Sequence, residues 1–208
     1  MSQRWSLVIP VKGDADAKSR LRVDHELRGA LALAFAMDTV AAAVAVRSVA
    51  EVIVVAPAAL DELFRKLGAR RVDEAPIDLP GESRLNSAVR EGLRRVRDPK
   101  TGTAVLLGDL PRLHSSELAD ALSRASTTRS FVPDAAGSGT ALITARAGFR
   151  HLPRFGSMSA AGHRAAGYLP IPVSLRSGLR RDVDTIADLG SDDDRAFGPA
   201  TRAALQQH

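Results

Sequence analysis

The chain has 208 residues, 45% of them hydrophobic and 25% charged, which suits one well-buried domain with the composition of an ordinary soluble protein. It has no cysteine, and its five histidines are scattered without an H-x-x-x-H spacing, so disulfides, thiolate sites and cysteine nucleophiles are excluded and any metal should be a hard cation held by oxygen. A net charge of +5 and an isoelectric point near 10.3 raise nucleic acid as a partner, but the arginines are dispersed and only 4% of residues are aromatic, so neither a basic stripe nor a stacking platform is expected.

Ser6 to Val11 reads as a first strand, and the loop after it holds Lys12, Gly13, Lys18, Ser19 and Arg20. Two of the four lysines of the chain lie in that loop. It matches neither a P-loop nor a dinucleotide fingerprint, and by itself it is either a triphosphate cradle or a solvated basic turn. From about Glu26 to Val46 apolar residues recur at helical spacing. The Ala-rich run from Gly29 to Val46 within this stretch, interrupted by Asp38, is expected to be too short and too mildly apolar to span a bilayer. With no targeting signal in view, a cytoplasmic protein is expected.

Val52 to Ala56 reads as a buried strand, Ala58 to Leu67 as a helix stopped by Gly68, and Arg70 to Val72 as a short strand. A Pro-rich loop leads to a helix over Leu85 to Val96, whose apolar residues at 85, 89, 93 and 96 form one stripe. Thr103 to Pro111 is the segment around which the chain is organised, and Ala104 to Leu107 within it is an apolar run of the kind buried on both faces of a parallel sheet. The run stops at Gly108, and Asp109 follows. In open α/β sheets ligands gather at the carboxyl ends of strands, where an acid can hold a metal over a phosphate; turn geometry alone also favours Asp there.

A helix is expected over Ser116 to Ala125, then strands at Phe131–Val132 and Ala141 to Thr144 around Gly137-Ser138-Gly139-Thr140. That glycine loop is either a plain hairpin or a close approach of backbone to ligand. Phe155 to Gly167 reads as a loop entering a short helix, a helix start being suited to an anion, with His163 four residues after Ser159 on the same face. Ile171 to Leu175 is expected as a strand and Ala196 to Gln207 as a terminal helix. Asp182-Val183-Asp184-Thr185 precedes a helical turn, with Asp182 expected to turn away from the site and to matter less than Asp184. The alternation of strands and helices calls for an α/β fold with a mostly parallel sheet covered on both faces, as a single domain over 1–208.

Taken in order, Val8-Ile9-Pro10-Val11-Lys12 with Ala17-Lys18-Ser19-Arg20-Leu21, Gly108-Asp109-Leu110-Pro111, Pro133-Asp134 with Gly137-Ser138-Gly139-Thr140, Phe155-Gly156 with Ser159 and His163, and Asp182-Val183-Asp184-Thr185 with Asp188-Leu189 form a series. It resembles the 2-phospho-L-lactate guanylyltransferase family, whose bacterial members include the phosphoenolpyruvate guanylyltransferases of coenzyme F-420 biosynthesis. The resemblance covers about residues 5 to 189. It implies a Rossmann-like nucleotidyltransferase fold of the glycosyltransferase-A type, with a mixed central sheet, and Mg2+ as cofactor. It implies GTP as donor and phosphoenolpyruvate or 2-phospho-L-lactate as acceptor, with no role for nucleic acid or membrane.

By the same resemblance, Lys12, Lys18 and Arg20 match the nucleotide-phosphate loop and act in catalysis, and Asp109 and Asp184, with Asp182 beside them, match the metal-binding acids. Thr140, Gly156 and Ser159 match positions that hold the acceptor. Leu85-Asn86 matches a Gly-Leu-Asn segment near the nucleotide, with Arg84 in place of the glycine, and Ala141 stands where the family often has Asn. The implied reaction is in-line attack of the acceptor phosphate on the α-phosphorus with diphosphate leaving. Its rivals are a related nucleotidyltransferase with another phosphorylated acceptor and a basic nucleic-acid-binding domain.

Overall fold

Trp5–Pro10 forms β1, and all six of its residues are buried, as a central strand's must be, the polar Ser6 hydrogen-bonding to Glu51 and Thr101. The structure is a computed structural model that describes residues 3–11, 21, 23–74, 83–190 and 197–207. β1 lies between two parallel neighbours, β2 (Val49–Val55) and β4 (Gly102–Leu106), and β3 (Arg70–Val72) extends the sheet beyond β2. On the other side β6 (Thr140–Ala145) runs antiparallel to β4, β5 (Arg129–Pro133) antiparallel to β6, and the two-residue β7 (Leu169–Pro170) parallel to β5. The order is β3-β2-β1-β4-β6-β5-β7, a mixed and mostly parallel sheet as expected. The antiparallel part follows from chain length: the short link from Pro133 to Thr140 can close only a hairpin.

Side-chain alternation sends the two faces of the sheet to different helices. Leu7, Ile9, Val52, Val54, Ala104 and Leu106 pack with residues of α1 (His25–Val44), α2 (Asp61–Lys66) and α4 (Ser115–Arg124). Their alternates Val8, Ile53, Val55 and Val105 pack with Ala88 and Val89 of α3 (Arg84–Arg94) and Ala160 of α5 (Ser159–Ala165). At 20 residues, α1 is long and apolar enough by length and composition to cross a membrane, contrary to the expectation from its sequence. In this fold Leu31, Phe35, Ala36 and Val40 of the helix are inside the protein.

Asp38, the polar interruption of α1, has a partner far along the chain. Its two carboxylate oxygens accept from Ala200 N and Thr201 N, both at 2.9 Å, capping α7 (Pro199–Gln206). Gly198 N donates to Pro111 O, and the Arg112 guanidinium lies 3.7 Å from the centre of the Phe197 ring. The C-terminal helix is thereby fastened both to α1 and to the segment after β4. The strand expected at Ile171 to Leu175 is absent: Ile171 N still donates to Phe131 O at 2.8 Å, but the next bond of this parallel ladder would need an N–H from Pro133, which has none.

Candidate active site

The strand-end carboxylate is held from both sides. Leu110 is fully buried, and its N–H donates to the Thr39 hydroxyl of α1, fixing the turn that carries Asp109. The Asp109 carbonyl accepts from Val183 N at 3.2 Å, drawing the Asp182-Val183-Asp184 segment against the end of β4. Val183 points into the core, fully buried beside Leu31 and Phe35. Residues two apart in an extended segment share a face, so both acids emerge opposite Val183. Oxygens of Asp109, Asp182 and Asp184 all lie within 4.8 Å of one another. The expectation that Asp182 turns away is therefore wrong; it joins the cluster.

Behind the cluster, Asp188, in α6 (Ile186–Leu189), folds the segment back on itself. Its Oδ2 accepts from Asp184 N (3.0 Å), Thr185 N (2.7 Å) and Thr185 Oγ1 (2.8 Å). Arg112, nearly buried, donates to the Asp188 and Leu189 carbonyls at 3.0 and 3.4 Å and braces the same turn from the far side. Asp182, Asp184, Asp188, Arg112 and Arg181 line a cavity of about 360 Å³ with Asp134, Ala135 and Ala136, the first residues of the β5–β6 loop. Oxygens around one Mg2+ at ~2.0–2.1 Å lie roughly 3–4 Å apart, and that ion prefers a few carboxylates with water and phosphate completing its shell. Three half-buried carboxylates within 4.8 Å of one another, two of them lining such a cavity, fit a hard divalent cation.

A second cluster centres on His163. The ring is fully buried among Phe131, Phe155 and Tyr168, whose centroids lie 6.3, 5.0 and 5.2 Å from its own. Its Nδ1 is 2.9 Å from Thr140 Oγ1, and its Nε2 accepts from Arg154 N at 2.9 Å. Thr140 and Ser159, both 3% exposed, thus stand beside one imidazole, and Ala160 N donates to Ser138 O, tying the start of α5 to the glycine loop.

Burial pushes the His163 ring down to about 4, the Ser159 carbonyl opposing the shift and Arg154 adding to it. Burial likewise brings His151 to about 4. A ring kept neutral in the fold while the unfolded chain protonates makes stability fall with falling pH, here between about 6.5 and about 4. His163 alone should account for a loss of about 3 kcal/mol across that window. Denaturant unfolding at pH 7, 5.5 and 4 should show the slope, and His163→Gln should remove about half of it, His151 supplying the rest.

Asn86 links this cluster to α3. Its Nδ2 donates to Phe155 O (2.9 Å) and Ser83 Oγ (2.9 Å), and its Oδ1 accepts from Phe155 N (3.1 Å). The amide so expected beside the nucleotide grips the backbone next to Gly156, which sits at φ +132°, a conformation L side chains rarely adopt. Lys12, Lys18 and Arg20 lie outside the described residues.

No family model matches the chain. A phosphoenolpyruvate guanylyltransferase of Streptomyces scabiei is 44% identical over 208 residues, covering 97% of this chain and 95% of that protein. Its namesake in Streptomyces coelicolor is 45% identical over 206 residues, covering 96% and 95%. The chain belongs to the phosphoenolpyruvate guanylyltransferase family. Among solved structures, a putative nucleotide-diphospho-sugar transferase of Desulfovibrio desulfuricans superposes with a TM-score of 0.66 at 18% identity, covering 100% of this chain and 95% of the other. A 4-diphosphocytidyl-2C-methyl-D-erythritol synthase of Anaerococcus prevotii does so with a TM-score of 0.55 at 11% identity, covering 98% and 99%. At such identities the likeness shows the fold, the α/β nucleotidyltransferase fold expected from the sequence.

For this member of the phosphoenolpyruvate guanylyltransferase family, sequence reasoning gives no role to Asp188 or Arg112. Asp188 has a local signal, since Thr185-x-x-Asp188 is a capping-box spacing at the start of a helical turn. Arg112 has none: its partners Asp188, Leu189 and Phe197 come from the other end of the chain.

Proposed function

We propose that this chain, acting as one nucleotidyltransferase domain over residues 1–208, transfers GMP from GTP to the phosphate of phosphoenolpyruvate and releases diphosphate. The observation that carries the reading is 44% identity, over nearly the full length, to relatives of that name. The convergence of Asp109, Asp182 and Asp184 at the end of β4 agrees with it. An acceptor phosphate oxygen forms a bond to the α-phosphorus, the bond from that phosphorus to the bridging oxygen breaks, and its electron pair leaves with diphosphate. The acceptor is already an anion near neutral pH, so no general base is required, and alignment does most of the work.

The three acids are assigned to Mg2+, which when bound neutralises charge on the phosphates. Lys12, Lys18 and Arg20 are assigned to the triphosphate, whose charge they offset, and Asn86 to the border between nucleotide and acceptor, through Phe155. Thr140, Gly156 and Ser159 are assigned to the carboxylate and phosphate of the acceptor. Both substrates are cytoplasmic metabolites, and we place the activity there.

A diphosphate-release assay crossing the four nucleoside triphosphates with phosphoenolpyruvate, 2-phospho-L-lactate and 3-phosphoglycerate tests the reading. GTP with phosphoenolpyruvate should give the highest kcat/KM; preference for another nucleotide, or for a sugar phosphate, would displace it. A companion experiment divides the site. Thr140→Val and Ser159→Ala should each weaken acceptor binding ~10- to 100-fold, the equivalent of roughly 1.5–3 kcal/mol for a hydrogen bond to a charged group, with GTP affinity unchanged. Calorimetric titration with each substrate reads this directly.

A further inference from the structure

We propose that His163 is a positioning residue that sets the polarity of the acceptor site: its Nδ1–H donates to Thr140 Oγ1 and commits the threonine's one proton to the anion. The role toward the acceptor rests on the function proposed above, whereas the hydrogen-bond direction rests on geometry alone.

Arg154 N is a backbone amide and can only donate, and it lies 2.9 Å from Nε2. Nε2 must therefore present its lone pair, and a neutral imidazole with a bare Nε2 carries its proton on Nδ1. Nδ1 is 2.9 Å from Thr140 Oγ1, so the hydroxyl is the acceptor of that bond. A hydroxyl has one proton, and Thr140 keeps its own free to donate elsewhere. In the opposite tautomer Nδ1 would take the threonine proton, and the hydroxyl would turn lone pairs toward the anion.

The surroundings hold this arrangement. Phe155 and Tyr168 meet the ring edge-on at 5.0 and 5.2 Å, and Phe131 lies on a third side, so a ring flip would need the cage to open. The groups the ring joins belong to three separate segments: Thr140 begins β6, Arg154 precedes Phe155 and Gly156, and His163 itself sits one turn after Ser159 in α5. One imidazole thus fixes the spacing of all three residues assigned to the acceptor. Ala160 N to Ser138 O and the Asn86 clamp on Phe155 close the same frame from outside.

Long-range proton–nitrogen correlation spectra of the 15N-labelled wild-type protein should show the Nδ1–H pattern for His163; the Nε2–H pattern overturns the proposal. Kinetics supply the second test. Gln at 163 can offer an oxygen near the position of Nε2 but no donor near Nδ1, whereas Asn can place its NH2 near Nδ1. His163→Gln should raise the acceptor KM ~10-fold with the KM for GTP unchanged, and His163→Asn should recover it to within about threefold. In the Thr140→Val background His163→Gln should add nothing, because its partner hydroxyl is already gone. Equal rises in both KM values, or an additive double variant, overturn the proposal. If the wild-type protein transferred no GMP, the proposed function would fail and with it the role toward the acceptor, an outcome distinct from the wrong tautomer.

Discussion

Asp109→Asn and Asp184→Asn should each reduce diphosphate release by about 10³-fold or more, a loss of the size seen when one preorganised electrostatic group is removed from a reacting phosphate or oxyanion. The reason lies in how few groups share the charge. Asp109, Asp182 and Asp184 form one cluster within 4.8 Å, and an amide leaves the shape of the site unchanged while removing a full negative charge from it. Asp182→Asn should fall in the same range, because Val183 is buried on the opposite side and leaves both flanking acids facing the site. Turnover measured against Mg2+ concentration, with near-UV circular dichroism to verify the fold, decides the matter. Near-normal turnover of the Asp109 and Asp184 variants at millimolar Mg2+ would remove these residues from the metal assignment.

How much of this was legible in the sequence depends on the range of the contact concerned. β1 and β4 are legible because burial on both faces leaves the apolar runs Leu7–Ile9 and Ala104–Leu107, and Asp109 because a carboxylate follows the second of them after a single glycine. The alternation that separates Val8 from Leu7 and Ile9, and so decides which helices cover which face, is local too. The insertion of β6 between β4 and β5 is not, since it depends on which edge a hairpin pairs with.

The same distinction holds in the site. Asn86 finds its partner 69 residues away and Asp38 its partners more than 160 away, so neither side chain's role has any periodicity to betray it. The series of motifs locates the acceptor residues by their likeness to a family, yet Thr140 and His163, separated by 23 residues, show their hydrogen bond only once β6 and α5 are folded together.

Gly178→Ala should be the most damaging substitution outside the acids. A Cβ at this position would lie 2.0 Å from Arg112 O, 2.5 Å from Arg112 C and 2.9 Å from Leu113 N, all of them backbone atoms that no rotamer change can move aside. The contact is where the segment leading to Asp182 and Asp184 crosses the segment leaving Asp109. It is pinned there by Gly178 N donating to Glu117 Oε1 at 3.2 Å, while Glu117 Oε2 accepts from His114 N at the start of α4. One methyl group must therefore either break these bonds or lift the later acids away from Asp109. The expected cost is about 3 kcal/mol or more, at the upper end for overpacking because the obstacle is main chain. Activity should fall further than stability explains, since the Val183 N to Asp109 O bond lies on the same path. Gly29→Ala is the matched comparison: the same methyl, in α1, meets nothing within 4 Å and should stabilise the helix by roughly 0.5–1 kcal/mol. Denaturant unfolding of the two variants beside the wild-type protein should move in opposite directions. A Gly178→Ala protein with wild-type stability and turnover would mean that the two acid-bearing segments are not held together at this crossing.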